Sequence, residues 1–101
     1  MLFDAKKLKD FTSSIMQKAG LDEESSRIFA ESLVNADMRG IASHGLTRLT
    51  TYARRVRDGL VSRDSKIKII KDGSSILLID GQNGMGVVTA YRTMEICVER
   101  A

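Results

Sequence analysis

The sequence predicts an α+β fold: three N-terminal helices, a β-hairpin and a C-terminal helix. Three observations carry this. Apolar residues recur at helical spacing across residues 5–60. An alternating stretch and a second apolar run then flank Asp72-Gly73. Helical spacing resumes near Met85 and continues to Ala101.

Each element has its own signals. The first helix is expected over Ala5–Ala19, with Leu8, Phe11, Ile15 and Ala19 on one face and Gly20 as its stop. Asp22 suits the N-cap of the second helix, and Glu23 and Glu24 suit its positive end. Phe29, Leu33 and Ala36 give that helix an apolar stripe, with Ile28 at its margin and an end near Met38. Ser43 is expected to cap a third helix, whose stripe is Leu46, Leu49, Ala53, Val56 and Leu60 and whose end is Gly59. Lys66–Lys71 alternates like a strand with one wet face, and Ser75–Asp80 reads as a more deeply buried return. Between them, Asp72-Gly73 is a hairpin turn signal. The last helix would bury Val87, Tyr91, Met94, Val98 and Ala101.

The chain of 101 residues suits one small domain, 1–101, with the hairpin at about 66–80. Its last helix has no closing cap, and a lone two-stranded hairpin is a marginal sheet. Both points lead us to expect an N-terminal piece of a larger protein. No apolar run is long enough to span a bilayer, and the opening Met1–Lys7 lacks a secretory signal's apolar stretch. A single cysteine, Cys97, is expected as a packed thiol in a cytoplasmic protein.

Net charge is +3, from 16 basic and 13 acidic side chains. Residues 53–101 hold the surplus, nine basic against six acidic. That bias fits a small anion; nucleic acid would call for a larger excess and more aromatics than the five present. One histidine and one distant cysteine make no zinc site, so no metal is expected.

His44 is the only histidine. Its side chain suits proton transfer near neutral pH. Arg48 and Tyr52 follow at four-residue steps, about 40° apart on a helix. A proton carrier, a planar cation that grips carboxylates and a phenol on one face outline a small-anion site. Gly45 would admit a substrate closely, and Gly40 would turn the chain into the site. Arg54, Arg55, Arg57 and Arg63 read as a solvated face. Gly81–Gly86 follows a strand and precedes a helix, but its G-x-x-G-x-G spacing departs from a Rossmann turn and it lacks a P-loop ending. A tight strand-to-helix connection is its simpler reading.

Asn35–Tyr52 closely resembles the malate/L-lactate dehydrogenase family of the second, non-Rossmann type, which includes ureidoglycolate dehydrogenase and 2,3-diketo-L-gulonate reductase. Asp37-x-Arg39-Gly40 followed by Ser43-His44-Gly45 and Arg48 carries the likeness, and Ala19–Asp22 and Asp80–Gly86 extend it across the chain. The resemblance implies the N-terminal, substrate-side third of a larger α/β oxidoreductase. It would interconvert a 2-hydroxy acid and a 2-oxo acid with NAD or NADP. By similarity His44 would donate the proton, and Arg48, Tyr52 and Ser43 would bind substrate. Most cofactor-binding residues, and a later histidine that is the acid/base in some members, would lie beyond residue 101. The parent would be a homo-oligomer, such as a dimer, and residues 1–101 alone would not turn over. Two other readings rest on the residues alone: a basic helical module binding nucleic acid or an acidic partner, and an oligomerisation segment.

Overall fold

The computed structural model describes residues 4–101; Met1, Leu2 and Phe3 of the opening segment lie outside the described residues. The elements are α1 (Ala5–Ala19), α2 (Glu23–Met38), two 3-10 turns (Ala42–His44 and Leu46–Arg48), α3 (Leu49–Arg57), β1 (Lys68–Asp72), β2 (Leu77–Asp80) and α4 (Gly86–Arg100). The α+β expectation therefore holds, with α1 and α2 at their expected positions.

Local chemistry fixes those two helices. Asp4 caps α1 by accepting from the Lys6 amide at 2.9 Å, and Asp22 caps α2 by accepting from the Ser25 amide at 3.0 Å. At the end of α2, Gly40 adopts φ 78°, a left-handed conformation that favours glycine. The Gly40 amide donates to the Asp37 carbonyl and the Ile41 amide to the Ala36 carbonyl. This pair of bonds closes the helix and redirects the chain, as the sequence suggested for Gly40.

The core lies between α1 and α2, with α3 packed on α1 and α4 on α2. It is built from Met16, Leu21, Ile28, Phe29, Leu33, Val56, Met85 and Val88. Leu46, Leu49, Tyr52 and Ala53 pack against it in part. The buried positions of α1 are Thr12 and Met16, whereas Phe11 is 61% exposed. Leu60, assigned to the third stripe, is also exposed.

The third helix differs most from expectation. It begins at Leu49, and Ser43 caps nothing. The preceding residues form the two 3-10 turns, so His44 and Arg48 do not share a helical stripe with Tyr52. Gly59 does help end α3, its amide donating to the Val56 carbonyl.

The antiparallel hairpin pairs Ile69 with Ile79 and Asp72 with Leu77. Its register shifts between Ile69 and Lys71, which breaks the alternation on which a buried face depends. All five residues of β1 are exposed, and β2 is only half-buried at alternate positions. The turn centres on Ser74-Ser75, two residues beyond the expected Asp72-Gly73, with the Gly73 amide donating to the Ile76 carbonyl at 2.8 Å.

On α4 the buried side is not the stripe assigned from the sequence. Tyr91, Met94 and Val98 are exposed, while Val88 is fully buried. Cys97 is exposed too, contrary to the packed thiol expected. No helix among the described residues is long and apolar enough to cross a membrane.

Candidate functional site

α2 supplies the floor and one wall of a cavity through Phe29, Ser32, Leu33 and Ala36. The 3-10 turns add His44 and Arg48, α3 adds Tyr52, and the start of α4 adds Met85, Gly86 and Val87. Its volume is about 420 Å³, within the usual range for a small-molecule site. Thus His44, Arg48 and Tyr52 converge as expected, but through a different backbone route. The surrounding wall is mostly apolar, so the few polar groups define how a ligand would be oriented.

Each side chain is held by a neighbour. The Ser43 hydroxyl lies 2.9 Å from His44 Nδ1. That contact engages one ring nitrogen and leaves Nε2 for a ligand. Ser43 itself does not line the cavity; its hydroxyl lies against the imidazole. Arg48 Nε donates to the Ser43 carbonyl at 2.9 Å, which leaves its terminal nitrogens for an anion. Tyr52 rests edge-on against buried Phe29, with ring centroids 5.4 Å apart. The Arg55 guanidinium sits 5.5 Å from the centre of the Tyr52 ring.

Asp37, which the sequence marks only as part of a motif, shapes this segment. Its carboxylate accepts from the Leu46 amide at 2.9 Å. A Cβ on Gly45 would lie only 1.9 Å from Asp37 Oδ1. Glycine at this position makes room for the carboxylate, not for a substrate.

Arg92 was also missed. Its Nη1 donates to the Ser65 carbonyl at 2.9 Å and its Nη2 to the Ser25 hydroxyl at 3.3 Å. Arg92 Nη2 also lies 3.9 Å from the Asp22 carboxylate. These contacts tie α4 to the start of α2 and so place the cavity wall at Met85–Val87. Arg92 lies four residues after buried Val88, on the same helical face, but no signal in the sequence marked that face as the buried one.

The glycine-rich connection makes no anion nest. The Gln82 amide donates to Asp80, the Gly84 amide to the Gly81 carbonyl and the Met85 amide to the Ser65 hydroxyl. Gln82 and Asn83 both have positive φ, 52° and 60°, forming a tight turn. A Cβ on Gly84 would meet the Ser65 Cα at 2.9 Å, so the loop is packed as a connector. The arginines of α3 and the loop after it are likewise dispersed: Arg55 is over Tyr52, Arg57 pairs with Asp58 and Arg63 lies against Gly20.

The malate/L-lactate dehydrogenase family matches residues 3–101. Malate dehydrogenase from Pyrococcus horikoshii is 40% identical over 95 residues, covering 94% of this chain and 26% of that protein. L-Sulfolactate dehydrogenase from Methanothermobacter thermautotrophicus is 38% identical over 87 residues, covering 86% of this chain and 26% of that protein. The solved malate dehydrogenase of Pyrococcus horikoshii OT3 superposes with a TM-score of 0.93 at 38% identity, covering 100% of this chain and 29% of that one. The chain thus spans about a quarter of the length of the curated relatives compared. With its elements in the same arrangement as that solved dehydrogenase and the family match running nearly end to end, this chain belongs to the malate/L-lactate dehydrogenase family.

Proposed function

We propose that the protein is an oxidoreductase interconverting a 2-hydroxy acid and a 2-oxo acid, with residues 1–101 forming the substrate side of its active site. The observation that carries this reading is the cavity shared by His44, Arg48 and Tyr52. The relatives named for malate and sulfolactate, both 2-hydroxy acids, support the substrate class.

The residues have distinct tasks in this reading. Arg48 receives the substrate carboxylate in its guanidinium fork. Tyr52 offers a hydroxyl above the apolar floor. Reduction of a 2-oxo acid develops negative charge on its carbonyl oxygen, and His44 gives that oxygen a proton. In the oxidative direction neutral His44 takes the proton from the 2-hydroxyl group. Ser43 holds the imidazole rather than touching substrate. NAD or NADP supplies the hydride chemistry when bound, and we propose that the dinucleotide is held outside residues 1–101.

The test is a panel of 2-oxo acids, including oxaloacetate and pyruvate, offered to the naturally occurring protein with NADH or NADPH. Saturable reduction of at least one acid is expected. No reduction with either cofactor would remove the reading.

A further inference from the structure

The 42–48 segment carries both the proposed acid and the proposed carboxylate clamp, yet only Gly45 and, in part, Leu46 are withdrawn from solvent. Ala42, Ser43, His44, Thr47 and Arg48 are all exposed. Its two 3-10 turns have weaker internal geometry than an α-helix, and neither receives a side-chain bond from its own N-cap residue. Asp37 supplies the missing cap from nine residues upstream, accepting the Leu46 amide at 2.9 Å. It does so from the last turn of α2, where the helix dipole disfavours an anion and the turn itself holds no basic residue. Gly45 completes the arrangement by leaving the volume that the Asp37 carboxylate fills.

We propose that Asp37 is a positioning residue: its carboxylate, seated against Gly45, latches the 42–48 segment so that His44 and Arg48 face one cavity. This inference rests on the roles proposed above for His44 and Arg48. The latch sits between them. His44 precedes the capped amide by two residues and Arg48 follows it by two. Its loss therefore displaces both, whereas direct loss of either side chain would affect one task.

The test compares the naturally occurring protein, as wild type, with its Asp37→Ala, Asp37→Asn, Gly45→Ala and Asp37→Ala/Gly45→Ala variants. Activity is read as kcat and KM with oxaloacetate and NADH or NADPH. Hydrogen exchange at the Leu46 amide reports the latch directly, and thermal melting reports folding. Asp37→Ala should lose Leu46 protection, raise KM and lower kcat, with kcat/KM down about 10- to 100-fold. Asp37→Asn keeps a carbonyl acceptor and should restore most of that loss. Gly45→Ala should reproduce the Asp37→Ala defect while retaining the carboxylate, because the new methyl displaces it. The double variant should be no worse than either single one, since all three lack the same contact. Unchanged kcat and KM in folded Asp37→Ala, or fully additive losses in the double variant, would overturn the proposal. If Asp37→Ala does not fold, an unaltered kcat/KM in Gly45→Ala would overturn it instead. An inactive wild type with a protected Leu46 amide would sink the reaction assigned above, and with it the positioning role, while leaving the latch as a feature of the fold.

Discussion

Arg92 on α4 donates from Nη1 to the main-chain carbonyl of Ser65 at 2.9 Å. The bond crosses 27 residues and joins the last helix to the loop before the hairpin. Ser65 is fully buried and adopts φ 47°, so its carbonyl direction is fixed by an uncommon backbone conformation. Arg92→Ala should destabilise the fold by about 2–3 kcal/mol, because a buried carbonyl loses a charged donor. Arg92→Lys should recover only part, since an ammonium cannot span Ser65 and Ser25 with a planar fork. Urea denaturation of both variants checks the ordering.

Phe29 is 1% exposed and supports Tyr52 from below. Phe29→Ala should cost about 3–5 kcal/mol through the cavity it leaves. Phe29→Leu, with less volume lost, should fold yet raise KM by loosening Tyr52. Chemical denaturation and steady-state kinetics separate the two effects.

Gly86 opens α4 and lines the cavity, with open space where a Cβ would stand. Gly86→Ala should leave stability unchanged or improve it by up to about 1 kcal/mol. The added methyl should narrow the cavity and raise KM for bulkier 2-oxo acids more than for pyruvate. A melting curve and a KM series across acids of increasing size test this.

The Ser62 hydroxyl donates to the Asp64 carboxylate at 2.9 Å, and with the Lys66 amide it holds Asp64 below its ordinary pKa. A carboxyl group with a lowered folded-state pKa contributes stability above its unfolded pKa. That contribution fades as pH falls through the folded value. Ser62→Ala should therefore move the Asp64 titration upward and shrink its share of the acid-side loss. A carbon NMR titration of the Asp64 carboxyl reads the shift directly.

The sequence was most informative where structure is local. Asp22 and Gly40 mark the limits of α2 by capping chemistry that needs only neighbouring residues. The start of α3 was not legible, because the turns before it depend on Asp37, nine residues from the amide it caps. The four-residue spacing of His44, Arg48 and Tyr52 nevertheless picked out three residues that line one cavity. On α4, apolar residues occupy more than one side. Periodicity finds such a helix but cannot choose the buried face, which Val88 and Arg92 define through contacts with distant residues. The exposure of Cys97 follows from the same choice of face.

In the proposed reaction His44 and Arg48 divide the chemistry, one moving a proton and the other holding a carboxylate. The most direct measurement is the pair of steady-state constants for His44→Ala and Arg48→Ala in the reduction of oxaloacetate. His44→Ala should lower kcat by about 100-fold or more with little change in KM. Arg48→Ala should mainly raise KM, by about tenfold or more. Wild-type kcat in the first variant and wild-type KM in the second, with both folded, would contradict the claim.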